Sequence, residues 1–259
     1  MTQTLASIHP DAKIAENVHI SPFCTIEGDV EIGAGSWIGP NVTIMDGARI
    51  GKNVKIYPGA VISAPPQDLK YKNEKTLAII GDGTTIRECA TVNRGTNDRY
   101  KTEVGKNCLL MAYSHVAHDC IVGNHVILAN LATLAGHITV HDWAILEGMV
   151  AVQQFITIAE HAFIGGGSLV RKDVPPYVKC AKEPLSFAGV NVIGLRRRGF
   201  TEAAIRQIED IYRIVYVRGY NMSKALEMVE SEIDPSAERD RILSFIRNSQ
   251  FGVIKGMIE

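Results

Sequence analysis

Residues 104–170 read VGKNCLLMAYSHVAHDCIVGNHVILANLATLAGHITVHDWAILEGMVAVQQFITIAEHAFIGGGSLV. An aliphatic residue stands at every sixth position: Val104, Leu110, Val116, Val122, Leu128, Leu134, Val140, Leu146, Val152, Ile158, Ile164 and Val170. An amphipathic helix spaces its apolar residues by threes and fours, and a lone strand alternates in twos. Neither produces a strict six. A unit of one short strand and one bend does, if the units stack and turn their aliphatic side chains into a shared interior.

Toward the N-terminus the same phase is held by Ile8, Ile14, Ile20, Ile26, Ile32, Ile38, Ile44, Ile50, Ile56 and Ile62. Branching at Cβ suits an extended backbone. The residue two before each is small or β-branched, as at Val18, Cys24, Val30, Ser36 and Val42. Residues two apart in a strand share a face, so both point inward. Gly33, Gly39, Gly51, Gly81, Gly105, Gly123 and Gly165 follow the aliphatic position, where glycine is expected to ease a corner. Cys24, Cys108 and Cys120 fall on the small inward position and read as buried hydrophobes.

The rhythm lapses twice, near 63–78 and near 93–103. The first lapse carries Pro65-Pro66-Gln67-Asp68-Leu69-Lys70-Tyr71. Polar excursions from a regular solenoid tend to be binding elements. After Val170, Pro175 and Pro176 end the repeat, since proline cannot donate to a ladder. Thr201 reads as the N-cap of a helix carrying Ile205, Ile208, Ile211, Tyr212 and Val215. Ser223 is expected to cap a second helix, and Asp234-Pro235 to open a third. The expected division is a β-solenoid over 1–186 and a helical C-terminal domain over 187–259.

The bulk numbers exclude several classes. The 259 residues carry a net charge of -1, so nothing global speaks for nucleic acid. The N-terminus lacks a signal-peptide pattern, and no apolar run approaches a membrane span. Five cysteines, an odd number with no CxxC, fit a reducing cytoplasm.

Hexapeptide-repeat prisms are three-sided, with eighteen residues per turn. On that stacking, His118, Gly136 and Gln154 form one column, and Asp119, His137 and Phe155 the next, at the strand spacing of roughly 4.8 Å. A neutral imidazole can take a proton from a hydroxyl near neutral pH, and a carboxylate can orient it. His118 with Asp119 offers that pair on one condition. Strand neighbours point to opposite sides, so a corner must bring the two together. Gly136 offers a bare N–H for an oxyanion. Base plus oxyanion donor is the equipment of acyl transfer. His115, His118 and His137 as a zinc site of a carbonic-anhydrase-type hexapeptide enzyme is the alternative. His125, His141 and His161 read as surface histidines at solenoid corners.

The chain resembles the family of acyl-carrier-protein-dependent UDP-N-acetylglucosamine O-acyltransferases that begin lipid A synthesis. The resemblance spans nearly the whole length. It rests on the prism, Gln67-Asp68-Leu69-Lys70-Tyr71, Arg94-Gly95-Thr96, Ala117-His118-Asp119-Cys120 and Leu134-Ala135-Gly136-His137. Asp173-Val174-Pro175-Pro176-Tyr177, Gly189-Val190-Asn191 and Arg197-Arg198-Gly199-Phe200 extend it.

The resemblance implies a left-handed parallel β-helix with a small helical C-terminal domain, assembled as a homotrimer. It implies transfer of an (R)-3-hydroxyacyl group from acyl carrier protein to the 3-hydroxyl of UDP-N-acetylglucosamine. No cofactor or metal is expected. In that family's pattern His118 matches the general base, Asp119 its neighbour and Gly136 the oxyanion donor. Asp68, Lys70, His115, His137, Gln154, Asn191, Arg197 and Arg198 match substrate contacts, and Gly166 matches the position that limits acyl length. Gln153 and Ile193 depart from the pattern, which often has histidine and an acid there.

Overall fold

The computed structural model describes residues 5–256. The hexads form two-residue strands such as Leu109–Leu110, His115–Val116 and Ile121–Val122, each ending on the aliphatic residue. Strands pair in parallel with the strand one turn later: Ile121 lies on Thr139 and Val122 on Val140, eighteen residues on. Three sheets of nine, eight and eleven strands result among the described residues. They are the three faces of a left-handed parallel β-helix. Face 1 contains His115–Val116, face 2 Ile121–Val122 and face 3 Ile127–Leu128.

From Ile26 to Val170 the aliphatic residue of each hexad is buried, and each such side chain contributes about 1.5–3 kcal/mol. Ile8, Ile14 and Ile20 are only half-buried, because no described coil lies below the first. The inward thiols are inert. Burial pushes Cys108 up to about 11 and Cys120 up to about 12.

The corners are not made as the glycine pattern predicts. The left-handed residue stands three places after the aliphatic one and is seldom glycine: Asn107, Tyr113, Asp119, His125, Leu131, His137, Trp143, Met149, Phe155 and His161 all have positive φ. The glycines directly after the aliphatic position serve close stacking. A Cβ on Gly33 would lie 2.5 Å from the Gly51 carbonyl carbon, and one on Gly81 2.5 Å from that of Gly105.

Both excursions leave at one edge, between faces 1 and 2. The first joins strand Val61–Ala64 to Leu77–Ile80, and the second joins Thr91–Asn93 to Lys101–Val104. Val61 pairs with Thr91 across thirty residues, twelve more than a plain turn. Thr91 pairs with His115 across twenty-four, six more than a plain turn. In the next coil that edge is occupied by Ala117–Cys120.

Beyond the prism, Val178–Ala181 and Ser186–Val190 form an antiparallel pair on face 3. Helix α1 (Val192–Arg197), absent from the sequence reading, is capped by Asn191, whose side chain accepts from Gly194 N. Helix α2 (Glu202–Tyr216) is capped by Thr201 as expected and buries Ile205, Ile208, Ile211, Tyr212 and Val215. Helix α3 (Met222–Glu232) is capped by Asn221 rather than Ser223, the Asn oxygen accepting from Lys224 N. Helix α4 (Ala237–Asn248) starts after Ser236, two residues beyond the expected Asp234. In both, the capping oxygen sits three residues before the amide that it satisfies.

The helical region closes onto the prism through buried and part-buried polar contacts. Tyr212 Oη donates to the Pro176 carbonyl at 2.6 Å. Asp173 accepts from Thr157 N at 2.8 Å and Ser249 Oγ at 2.6 Å, and its own N–H donates to the Gly252 carbonyl.

Candidate active site

Face 1 runs into the corner at Ala117–Cys120. Asp119 adopts φ +60°, which swings its side chain back beside the preceding residue. His118 Nδ1 and Asp119 Oδ2 are therefore 2.8 Å apart, although the two are neighbours in sequence. Asp119 is fully buried and His118 nearly so.

The second excursion holds the carboxylate. Thr96 N and Arg99 N donate to Oδ1 at 3.0 and 3.1 Å, and Thr96 Oγ1 donates to Oδ2 at 2.6 Å. Arg99 Nη1 donates to the Asp119 carbonyl, and Asp119 N to Thr102 Oγ1. Burial alone would raise the Asp119 carboxyl. The hydrogen bonds from His118, Thr96 and Arg99 outweigh it and bring the group down to about 2. An ionised Asp119 can only accept, so His118 carries its proton on Nδ1 and keeps the Nε2 lone pair.

Gly136 lies against that ring. A Cβ there would stand 2.5 Å from His118 Cε1 and 2.8 Å from Nε2, so any side chain would displace the imidazole. The Gly136 N–H finds no acceptor among the described residues. Gln154 is exposed one coil further on.

His137 donates its backbone N–H to the His118 carbonyl at 3.0 Å. Its ring meets that of His118 edge-on at 5.1 Å and stacks on Phe155 at 4.7 Å. Its Nδ1 is 3.0 Å from Asp98 Oδ2 but is not aimed along a hydrogen bond. His115 faces outward on face 1, with Nδ1 2.7 Å from Thr91 Oγ1. Burial, then the nearness of the His118 imidazole, push its own imidazole below the ordinary range.

The alternative three-histidine metal set does not form among the described residues. The one described trio of ligand-type side chains with atoms within 4.8 Å is His118, Asp119 and His137. Asp119 in that trio already accepts four hydrogen bonds, two at each carboxylate oxygen.

The first excursion stands on the same edge. Asp68 Oδ1 accepts from Lys70 N at 2.9 Å, which folds the loop into a turn. Arg94 braces it, donating from Nε to Tyr71 Oη and from Nη1 to the Asp46 carbonyl, both at 2.9 Å.

The remaining expected residues lie elsewhere. Asn191 is at the edge between faces 2 and 3, where its Nδ2 donates to the His161 carbonyl at 2.9 Å. Arg198 Nη1 is 3.2 Å from His161 Nδ1 at that edge, and Arg197 is exposed on the last turn of α1. His161 is thus half-buried beneath this cluster, not the surface histidine expected; His125 and His141 are half-buried too. Gly166 lies beside the third edge, its N–H donating to Glu147 Oε2 at 3.1 Å.

Periodicity does not single out Thr96 and Arg99, because they stand inside a lapse. The sequence carries one signal for them: the lapse opens after Val92, at the same point of the hexad where Ala117–His118 follows Val116.

Comparison with known proteins gives a consistent result. The family model described as bacterial transferase hexapeptide (six repeats) matches residues 29–64 and 101–136. The model described as UDP N-acetylglucosamine O-acyltransferase, domain 2, matches residues 173–254. An acyl-[acyl-carrier-protein]–UDP-N-acetylglucosamine O-acyltransferase of Trichlorobacter lovleyi is 45% identical over 255 residues, covering 97% of this chain and 98% of its own. The protein of that name from Halorhodospira halophila is 43% identical, covering 96% and 97%. The crystal structure of a UDP-N-acetylglucosamine acyltransferase from Bacteroides fragilis superposes with a TM-score of 0.96 at 46% identity, covering 98% of this chain and 100% of that one. The one from Francisella novicida gives 0.94 at 38% identity, covering 97% and 93%. Prism, oriented His118 and sequence identity over almost the full length agree: the chain belongs to the acyl-[acyl-carrier-protein]–UDP-N-acetylglucosamine O-acyltransferase family.

Proposed function

We propose that this chain transfers an (R)-3-hydroxyacyl group from acyl carrier protein to the 3-hydroxyl of UDP-N-acetylglucosamine, the first step of lipid A synthesis. The observation that carries this reading is the 2.8 Å contact of His118 Nδ1 with Asp119, which leaves Nε2 unprotonated beside Gly136.

His118 Nε2 takes the proton of the sugar hydroxyl as its oxygen attacks the thioester carbonyl. A C–O bond forms and the carbonyl oxygen becomes an oxyanion, which the Gly136 N–H receives. Asp119 stabilises the imidazolium. The oxyanion collapses, the C–S bond breaks, and the departing thiolate takes the proton from His118. The products are an ester and a free carrier thiol. No oxidation state changes, so the reaction calls for no redox cofactor. In this reading Asp68, Lys70, His115, His137 and Gln154 serve as substrate contacts on the His118 side, while Asn191, Arg197 and Arg198 offer cationic and amide donors to the sugar nucleotide's diphosphate.

A homotrimer follows from the same reading. His118 and Arg198 stand on different edges, and the six residues of one side can extend to about 20 Å. Three parallel copies, packed edge to edge, set the His118 edge of one against another edge of its neighbour. The third edge supports this with an apolar row: Phe23, Tyr113, Leu131 and Met149 are 62%, 60%, 50% and 64% exposed. Five unpaired cysteines and a nucleotide substrate favour the cytoplasm. No described helix is long and apolar enough to cross a membrane. Incubation of the purified protein with UDP-N-acetylglucosamine and a panel of hydroxyacyl carrier proteins tests the reading. Ester formation on the sugar supports it, and no transfer from any donor overturns it.

A further inference from the structure

At the edge between faces 2 and 3, four rings stack coil upon coil. His125 lies 3.9 Å from Trp143, Trp143 6.4 Å from His161, and His161 5.7 Å from Tyr177, with interplanar angles of 6°, 4° and 22°. The core does not require them, since they project from the corners. The guanidinium carbon of Arg198 lies 5.2 Å from the centroid of the Trp143 ring. Its Nη1 reaches His161 Nδ1 at 3.2 Å. Burial, then the charge of Arg198, push the His161 imidazole down to about 4, so it is neutral near pH 7 and can accept from the guanidinium.

The neighbouring arginines are held differently. Arg196 is bound through Nε and Nη2 to the two oxygens of Glu202, which neutralises it. Among the described residues Arg198 has no carboxylate partner; it is fixed by a ring face and one imidazole nitrogen. That fixes the fork while its charge stays unneutralised and most of its five N–H donors stay open to an anion. Asn191 Nδ2 donates to the carbonyl of the same His161, so the amide and the guanidinium share one support.

We propose that Trp143, together with His161, is a positioning residue that presents Arg198 to the diphosphate of the sugar nucleotide. This deepens the acyl-transfer reading and rests on Arg198 contacting that substrate. Trp143 acts through Arg198 and carries no part of the bond-making step.

Steady-state kinetics on the full-length enzyme test it. Trp143→Leu is expected to raise KM for UDP-N-acetylglucosamine roughly tenfold, with kcat and the KM for acyl carrier protein within about twofold of wild type. Arg198→Ala should do the same, and the double variant should be no worse than Arg198→Ala alone. Trp143→Phe keeps a ring face and should recover most of the affinity. Unchanged KM in Trp143→Leu, beside a raised KM in Arg198→Ala, overturns the positioning role alone. Unchanged KM in Arg198→Ala overturns the nucleotide contact on which it rests. A double variant whose losses multiply also overturns the role. Fluorescence covers the case in which Trp143→Leu does not fold. The chain has two tryptophans, so Trp37→Phe leaves Trp143 as the sole emitter. UDP should then change its emission saturably, and should fail to do so once Arg198→Ala is added. Calorimetric binding of UDP to Trp37→Phe with no emission change overturns the proposal.

Discussion

His118 and Asp119 are adjacent in the chain, yet their side chains meet at 2.8 Å because Asp119 takes a left-handed φ of +60° at a prism corner. In a strand the two would point to opposite sides. The corner turns a sequence neighbour into a hydrogen-bond partner, and Thr96 and Arg99 fix that partner from the second excursion.

Removal of the base is the first test. His118→Ala should lower kcat by roughly 10²–10⁴-fold, the usual contribution of a positioned general base. Circular dichroism and oligomeric state should be unchanged. An enzyme retaining most of its rate would sink the role.

Asp119→Asn should be nearly as inactive, because an amide can donate to Nδ1 and so favour the wrong tautomer. The same change alters acid stability. The Asp119 carboxyl stands at about 2 against an ordinary 3.8, so its contribution is fully present above pH 4 and is lost as pH falls through about 2. Its size is on the order of 2 kcal/mol. Denaturant titrations at stepwise lower pH should show this loss in the wild type and lack it in Asp119→Asn.

Gly136→Ala places a Cβ 2.5 Å from His118 Cε1. The imidazole must rotate off Asp119, and kcat should fall by about 10² or more, as expected when a positioned base is misplaced. The melting temperature should move by only a few degrees, since Gly136 is at a corner outside the core. Wild-type kcat in this variant would show that the ring position is not critical.

A site shared between subunits predicts complementation. Inactive His118→Ala and weakened Arg198→Ala copies, co-expressed and purified together, should regain activity at low UDP-N-acetylglucosamine that neither variant shows alone, because some interfaces combine an intact His118 edge with an intact Arg198. Recovery absent from verified mixed oligomers would place each site within a single chain.

Gly166→Met should shift preference toward shorter acyl donors. The 166 backbone already abuts the Gly148 carbonyl, 3.2 Å from a built Cβ, so a long side chain must project outward. Competition between donors of different length, read by mass spectrometry, decides this. An unchanged product distribution removes residue 166 from any measuring role.

The interior was legible because its spacing is one-dimensional. Ile26 to Val170 recur in sixes and are buried in that phase, and stacking in eighteens is seen in pairs such as Val116 on Leu134. That column arithmetic alone aligned His118 with Gly136. The caps of α3 and α4 lie two residues from the expected positions because several polar residues in each stretch could cap, and only backbone geometry selects one.

The amino-acid sequence by itself determined the prism, the columns of its edges and the residues that stand in them, since a fixed rise converts residue number directly into height. The tertiary structure alone decided three things that a period cannot encode. Backbone handedness at a single corner pairs His118 with Asp119. An excursion with no repeat of its own supplies Thr96 and Arg99 to that carboxylate. The separation of three edges leaves His118 and Arg198 on different sides of one chain, because a side of the prism is wide on the scale of a hydrogen bond.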